Sequence, residues 1–427
     1  MIAFIGAWKR KPLLRERIRY YADKVRRARS SGNLLPRLRR KLFRSLYNPS
    51  KDFVDYYFRL KPADRRIDIS KGFADRRGAG NHRPTEAILR RIVAAYKTAG
   101  RRSDEAPSCF GVKGLWAEWI AMHYGGLIQA INSENLESLA AILENFNRER
   151  FSTGTGYGYD DCVRYRIPLY GRRSILAAWC HYRNILKSLD VDIGLAAFPP
   201  IGNPAGVVSG GRIIPVETLR HAYNGRRIST LLGDVTGGIV VEIGGGFGGQ
   251  TFQTVRQARP RKYVVFDIPE VAAICSYFLL AAFPDKNIRL FGEGPVSVVD
   301  RESYDIAVFP HFSITALEDN SVDLFFNESS FSEMDGDCSR AYLAIVERAC
   351  RKYFLHINHD VAIKFRNEDS SVSANCIASD LVPSKKFKRL YKRPRAFGRL
   401  EDKLFQHHAF LYEKAPSGAE LLTGVEK

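Results

Sequence analysis

The 427-residue chain has no apolar run long enough to cross a bilayer. Its longest largely apolar stretch, residues 272–283, falls short of the roughly 20 residues that a spanning helix needs. The seven cysteines, at 109, 162, 180, 275, 338, 350 and 376, include no C-x-x-C pair. An odd, unpatterned set argues against a disulfide framework or a zinc ribbon and fits a reducing compartment. The nine histidines include no H-E-x-x-H, so a zinc site is not expected. There is no internal repeat and no low-complexity tract. The apolar start MIAFIGAW is followed, not preceded, by charge, which makes a poor signal peptide. A cytoplasmic location is the expectation.

Acidic residues are scarce in two places. Lys and Arg total 66 against 46 Asp and Glu, a net charge of +20. Residues 1–50 hold 15 basic and 2 acidic residues, and residues 385–399 hold 8 basic and none acidic. The rest of the chain has 43 basic residues against 44 acidic and is close to neutral. Two segments therefore carry the excess. They suit tethering to an anionic partner such as the inner face of a membrane, a phosphorylated glycolipid or RNA, or they are a solubilising tail and an exposed hairpin. Leu35, Leu38, Leu42 and Leu46 recur at spacings of three and four, giving residues 35–47 one apolar and one cationic face. That pattern fits an interfacial helix or an ordinary packed one.

Hydrophobic residues make up 45% and charged residues 26%, which is globular usage and supports two or three domains. Residues 85–98, 114–131, 136–147, 173–188 and about 216–231 read as helices, with a Pro/Gly-rich connector at 198–215. From residue 231 the pattern changes. Short apolar runs at 238–243, 263–266, 306–309, 322–326 and 353–357 alternate with helical stretches at 248–258, 269–283 and 336–351. That alternation predicts a parallel sheet with helices on both faces. Residues 387–393 and 407–413 could pair as an antiparallel hairpin. The division expected is a basic arm (1–60), a mainly helical acceptor or cap region (61–230) and an α/β cofactor-binding catalytic domain (231–427).

The strongest local signal is the run EIGGGFGG at 242–249. A strand leads into a glycine turn and a helix follows, an arrangement that lets a ligand approach the backbone. Asp267 lies at the end of the next strand, where a carboxylate can accept both ribose hydroxyls of an adenosine. Gly244, Gly246 and Gly249 satisfy a dinucleotide fingerprint, while Gly244, Gly246 and Gly248 satisfy the looser loop of S-adenosylmethionine enzymes. Glu242 favours the second reading, because an acid there suits the amino group of a methionine moiety.

Residues 202–360 resemble the bacterial sugar O-methyltransferase family within the class I S-adenosylmethionine-dependent methyltransferases. The matching text is Gly202-Asn203-Pro204, His221-x-Tyr223, EIGGGFGG, FDIPE at 266–270, the run from Asn327 to Met334, and Tyr342. The resemblance implies a Rossmann-like class I methyltransferase sheet with S-adenosyl-L-methionine as cofactor. It implies that Glu242, Gly244, Gly245, Gly246 and Gly248 hold the methionine end, that Asp267 binds the ribose, and that Ile268 and residues 309–312 border the adenine. Many class I enzymes carry Gly-Asp after the third strand. This chain has Pro310-His311 instead, so adenine recognition is expected to differ.

Methyl transfer to a sugar hydroxyl needs the oxygen held in line and its proton removed. Strand carboxyl ends carry the ligands in such sheets, which selects residues 327–335 and 356–360. Asn327 and Glu328 would lie closest to the methyl. The candidates for catalysis are His359 as first choice of base, His311 as second, and Glu328 and Glu333. Mg²⁺ held by Glu328, Glu333, Asp335, Asn358 and Asp360 is the runner-up mechanism. The expected acceptor is a sugar or glycan, lipid-linked or phosphorylated, reached at an anionic membrane surface. Two alternatives stand beside this reading: an RNA methyltransferase gripping phosphates with the basic segments, and a non-catalytic binding protein on the same fold. Nucleic acid is not the expected partner, because the body is neutral and no Asn-Pro-Pro-Tyr signature follows the fourth strand.

Overall fold

A computed structural model describes residues 60–427 except 78–81, 157, 169–170, 234–236, 300–303, 363, 367–371, 375, 397–406 and 416–427. The expected basic arm and the amphipathic stretch at 35–47 lie outside the described residues.

Eight strands form the main sheet, in the order β11-β12-β8-β7-β3-β4-β6-β5. They are β3 (Ile239–Ile243), β4 (Lys262–Asp267), β5 (Ile288–Leu290), β6 (Ile306–Pro310), β7 (Val322–Glu328), β8 (Cys350–His359), β11 (Phe387–Pro394) and β12 (His407–Lys414). Strands β5, β6, β4, β3, β7 and β8 pair in parallel, while β12 runs antiparallel to both β8 and β11. The chain winds outward from β3 through β4 to β6 and then returns to the other side of β3 for β7. The strand order therefore reverses between β3 and β7, and a crevice opens at their carboxyl ends. This is the Rossmann-like α/β sheet expected from sequence, with the terminal hairpin where residues 387–393 and 407–413 suggested it.

Strand alternation divides the core in two. Val240, Val265, Leu324, Phe326 and Leu355 face one side, and Val241, Ile243, Val264, Phe325 and Phe354 face the other. The helical region lies against the first face. Its helices α1 (Glu86–Arg102), α3 (Gly125–Asn132) and α4 (Leu136–Glu144) contribute Leu89, Ile92, Leu127, Leu139 and Leu143 to that core, and α2 (Gly114–His123) packs Trp116, Trp119 and Ile120 against it. Helices α5 (Gly158–Tyr165), α6 (Gly171–Ser188) and α7 (Val216–Leu232) carry a separate apolar core around Ile175, Trp179 and Leu219. Cap and sheet belong to one compact unit from Leu60 onward. Helices α8 (Gly249–Ala258), α9 (Pro269–Ala282) and α10 (Gly336–Ala349) complete the layers.

The connector at 198–215 contains a small hairpin, β1 (Val207–Ser209) with β2 (Arg212–Ile214), joined by Gly210 and Gly211 at positive φ. β5 and a second small pair, β9 (Lys364–Arg366) with β10 (Val372–Ala374), also went unanticipated, since three residues carry too little periodicity to read. The helix expected over 114–131 is two helices meeting at Tyr124.

The Gly202-Asn203-Pro204 turn fastens the cap. Asn203 is buried at φ +57 and donates Nδ2 to Asp75 at 2.8 Å and to Asn145 at 2.9 Å. Its Oδ1 accepts from the Arg76 N–H at 3.1 Å. Replacing Asn203 with Ala removes these bonds, leaves the buried Asn145 oxygen without this donor and places a Cβ residue without local polar support in the left-handed region. Asn203→Ala should lower stability by about 3 kcal/mol in urea unfolding.

Candidate functional site

The carboxyl ends of β3, β4, β6 and β7 open into a cleft enclosing about 1180 Å³, its open mouth included. Its floor is the glycine loop after β3. Gly244, Gly246 and Gly248 adopt φ of +75°, +57° and +92°, a region that glycine enters without the Cβ penalty. No side chain fits here. A Cβ on Gly244 would strike the Ser330 hydroxyl, one on Gly245 the Val265 side chain, and one on Gly246 the Thr155 carbonyl. The loop is thus pinned between β7, β4 and the cap. Gly244, Gly245 and Gly246 line the cleft, while Gly248 lies behind them and starts α8.

Two carboxylates flank the loop. Glu242 is 2% exposed and accepts on Oε2 from the Thr251 hydroxyl at 2.9 Å and the Tyr263 hydroxyl at 2.8 Å. Burial, against the pull of those two bonds, pushes its carboxyl up to about 8. Asp267 accepts from the Gly246 N–H at 2.8 Å and the Ile268 N–H at 2.7 Å. Burial pushes it up to about 7 despite both bonds. Two of the four lone-pair sites of the Asp267 carboxylate remain for a ligand. Ile268 lies beside it on the cleft wall.

The end of β7 splits by alternation. Phe326 and Glu328 face the cleft, and Asn327 faces away. Asn327, expected nearest the methyl, is instead fully buried. Its Nδ2 donates to the Ile243 carbonyl at 2.8 Å and to Ser330, and its Oδ1 accepts from Asn358 at 2.8 Å. It is a clasp between strand ends, because a residue one step before Glu328 must point to the opposite face. Glu328 itself is ion-paired with Arg220 of α7 and approached at 3.4 Å by Arg395, and it accepts from Asn224 at 2.9 Å. Burial would raise its carboxyl, but the two guanidinium groups outweigh that and hold it below the usual range. A carboxylate so paired is a poor proton acceptor. The chain then turns through Ser329, a non-glycine residue at φ +70, held by its N–H on the Ile357 carbonyl at 2.8 Å. Such strain is characteristic of functional sites.

Glu333 differs from Glu328. It lines the cleft, accepts from the Trp116 indole N–H at 2.8 Å, and is pushed up to about 7 by burial. His311 also lines the cleft, with Nε2 2.6 Å from the Phe110 carbonyl oxygen and burial lowering its pKa. His359, the first-choice base, does not line the cleft. Its ring packs edge-on against His407, its partner across β8 and β12, at 4.1 Å. The nearby His356 is a core residue stacked on Phe410 at 4.8 Å, and burial drives it down to about 3.

Sequence reasoning missed the cap's contribution. Phe110, Lys113 and Trp116 come to the cleft from one stretch of the helical region and Thr155 and Arg220 from two others, with no motif to mark them. Gln250, in the first turn of α8, could have been read from its place after the loop. Thr155 Oγ1, His221 Nδ1, Gln250 Oε1 and His311 Nδ1 are buried cleft-lining atoms with no hydrogen-bond partner among the described residues. A cradle that excludes every Cβ, ringed by unpartnered polar atoms, fits a ligand that brings its own donors and acceptors. The suggested Mg²⁺ ligands do not fit a metal. Glu328 faces arginines, Asp360 is paired with Lys392 at 2.6 Å, and Asn358 lies in the amide clasp. Among the described residues no group of three or more His, Cys, Asp or Glu side chains is placed to hold a metal ion, and no helix is long and apolar enough to cross a membrane.

No protein-family model matches the chain, and no curated protein matches it significantly. Among solved structures it is similar to the 1,6-didemethyltoxoflavin N1-methyltransferase of Burkholderia thailandensis bound to S-adenosylhomocysteine, at 15% identity over 45% of this chain and 78% of that one, TM-score 0.28. A second is the magnesium protoporphyrin IX methyltransferase of Synechocystis with bound S-adenosylmethionine, at 10% identity over 46% and 81%, TM-score 0.30. A third is a phosphoethanolamine N-methyltransferase of Haemonchus contortus with S-adenosylhomocysteine, at 12% identity over 46% and 53%, TM-score 0.31. Likeness at these scores adds no argument about reaction or acceptor. The fold assignment rests on this chain's own strand order and glycine loop.

The raised Glu242 carboxyl has a consequence for stability. Its protonated form is favoured in the folded state, so its contribution is full at low pH and is lost as pH rises through about 8. Glu242→Gln keeps an acceptor for Tyr263 and Thr251 without the charge. Between pH 6 and 9 the ligand-free wild type should lose more thermal stability than Glu242→Gln, read as melting midpoints by circular dichroism.

Proposed function

We propose that the protein is an S-adenosylmethionine-dependent methyltransferase acting on a hydroxyl of a sugar or glycan intermediate. One observation carries the cofactor: in a chain of net charge +20, the described residues that line the cleft include five carboxyls, Glu242, Asp267, Glu328, Glu333 and Asp335, against two cations, Lys113 and Arg220, with Arg395 reaching Glu328 from outside the lining. A sulfonium cation would draw these carboxyls toward their ionised form and gain their attraction, whereas the pyrophosphate of a dinucleotide or the backbone of RNA would be opposed by every one of them that ionises. The Thr155 carbonyl beside Gly246 acts in the same sense, since it presents an acceptor where a phosphate would need donors. The sugar acceptor is supported by the motif resemblance over residues 202–360 and by a base suited to a hydroxyl.

When bound, S-adenosylmethionine supplies a methyl group activated by positive sulfur. The chain's own residues do the rest. Asp267 accepts the ribose hydroxyls on its free lone pairs. Glu242 and the backbone of Gly244, Gly245 and Gly246 form the seat for the amino-acid end. Glu333 is the general base: the Trp116 indole fixes one carboxylate oxygen and leaves the other to take the hydroxyl proton. Phe110 and Trp116 reach over from the cap and form the wall against which the acceptor is held. The basic segments draw the enzyme to an anionic membrane surface where a lipid-linked acceptor is presented. In 385–399 the pairing of Lys392 with Asp360 and Arg395 with Glu328 leaves the remaining cations for that role.

Calorimetry with S-adenosylhomocysteine tests the cofactor directly. The wild type should bind it, Asp267→Ala should bind at least about 30-fold more weakly, and NADH should not bind. Absence of nucleoside binding, or binding of NADH in its place, overturns the reading. For the base, the rate should rise with pH through about 7 as Glu333 ionises. Glu333→Gln should abolish that rise and lower kcat by about 10²–10⁴-fold, measured with a labelled methyl donor and an acceptor found by screening glycans.

A further inference from the structure

Two rows of side chains lead away from the cleft at Glu328. On α7, Arg220, Asn224 and Arg227 recur at spacings of four and three, which puts them on one face of the helix. On β11, Tyr391 and Arg393 lie opposite Leu411 and Ala409 of β12, so they share the sheet face that packs under the cap. Arg395 continues that row past the end of the strand. The rows meet at both ends. Near the cleft, Arg220 and Arg395 both reach Glu328, and Asn224 donates to it. At the far end, Arg227 donates to the Tyr391 hydroxyl. The path between is about 10–13 Å long, from the rise of a helix on one side and of a strand on the other. It begins at the cleft itself, because Arg220 and Glu328 are part of the cleft lining.

The two ends of the path differ in charge. At the cleft the cations are matched: Arg220 and Arg395 share Glu328, and Arg220 also holds Glu217. Farther along, no carboxylate among the described residues is ion-paired with Arg227 or Arg393. Rings hold them instead. The Arg393 guanidinium lies 3.8 Å from the centre of the Tyr391 ring, and that of Arg227 lies 5.6 Å from Tyr391 and 5.4 Å from Tyr223. Arg393 is exposed, and Arg227 and Tyr391 are half-buried. A guanidinium laid on a ring keeps its N–H edges outward, and that planar fork matches the paired oxygens of a carboxylate or a phosphate. Stacking also restrains the side chain, so less freedom is lost when an anion arrives.

We propose that this path is a second acceptor subsite, which binds an oxyanion-bearing sugar unit (a uronate or a sugar phosphate) beside the unit whose hydroxyl enters the cleft. The inference rests on the glycan acceptor proposed above and names its class, an anionic saccharide. The charge pattern sets the arrangement. Each cleft carboxyl that ionises opposes an anionic unit there, while Arg227 and Arg393 attract that unit just outside. The acceptor is therefore oriented end to end, with its neutral unit at Glu333 and its charged unit on the path. Arg393 is one of the cations that the pairings within 385–399 leave over, and its partner here is the acceptor itself. RNA suits the path less well, because a phosphate at every unit carries charge into the carboxyl-lined cleft.

Calorimetric titration of the full chain with aldotriouronic acid and with glucose 1-phosphate, each against a neutral counterpart (xylotriose and glucose), tests this. At least one anionic probe should bind about 10-fold or more tightly than its counterpart, and the arm that does so identifies the oxyanion. Arg227→Gln and Arg393→Gln should each remove most of that preference. Lys385→Gln, an exposed cation of the same basic segment before β11 begins, should keep it within about twofold. In protein labelled with ¹⁵N-arginine, the side-chain resonance that disappears in Arg393→Gln should shift with the anionic probe and hold still with the neutral one. That reading is made on the wild type and does not depend on how well a variant folds. No preference for either anionic probe, a preference that survives both arginine variants, or a silent Arg393 resonance overturns the subsite. A single-stranded RNA that binds through Arg393 when neither anionic sugar does overturns it in favour of RNA. S-adenosylhomocysteine is titrated in parallel. If it binds while the sugars show no preference, the subsite falls and the cofactor assignment stands. If the Arg393-dependent preference holds and S-adenosylhomocysteine does not bind, the subsite stands and the methyltransferase reading falls.

Discussion

The cap and the sheet meet on one buried carboxylate. Glu328, at the last position of β7, sits between Arg220 of the cap helix α7 and Arg395 just beyond β11, with Asn224 completing its hydrogen bonding. Arg220 is shared with Glu217 on its own helix. Two acids and two cations therefore balance in a space where a single one would be costly, and removing one member of such a set destabilises by about 3–5 kcal/mol. The geometry that follows is specific. α7 must lie across the end of β7, His221 must face the glycine loop, and the end of the terminal hairpin must fold back to the cleft. The cleft has its shape because three distant parts of the chain share one charge.

This also revises how the positive charge of the chain is understood. Counting charges divides the molecule into a neutral body and two basic segments, but the body is not uniform. The cleft concentrates acids, and one cation from the basic 385–399 segment is spent on neutralising the acid at its edge. Lys392, in the same segment, is spent on Asp360 and also lies over the Phe410 ring at 5.4 Å. A basic run on an edge strand thus does several things at once. Some of its members fasten the strand to its own protein, and the exposed ones keep the unpaired edge of β11 from pairing with another chain.

Much of the sheet was legible because strands and their flanking glycines leave strong local signals. Five apolar runs predicted β3, β4, β6, β7 and β8 to within a few residues, and the hairpin of β11 with β12 followed from two extended segments that succeed one another in the chain. The loop, Glu242 and Asp267 were legible for the same reason: they are consecutive or lie at a fixed interval. What sequence could not supply was the direction of side chains at strand ends and the arrival of cap residues. Asn327 and Glu328 are neighbours in the chain and opposites in space, a consequence of a two-residue period whose phase is set only by packing. His359 looked like a base at a strand end, yet its strand is covered on one side by β12, and the ring is absorbed against His407. Trp116, which fixes Glu333, sits more than 200 residues away from it, and no pattern announces a contact of that kind.

Two kinds of carboxyl share the cleft, and the difference between them is the presence of a cation. Glu328 is enclosed but faces two guanidinium groups, so it remains charged and serves as a fixed post. Glu242, Asp267 and Glu333 are enclosed without such partners, and burial lifts each of them to about 7 or 8. A positively charged ligand changes their balance, because an opposite charge nearby favours the ionised form of each. On the proposed reading that is the state in which a sulfonium is bound, and ionised Glu333 is then ready to accept a proton. On that reading the ligand left after transfer would be a neutral thioether and Glu333 would hold the proton of the acceptor, so the attraction that held the substrate form would weaken when product must leave. The lack of paired cations around these three carboxyls among the described residues would then link cofactor binding, proton removal and release through one electrostatic cause.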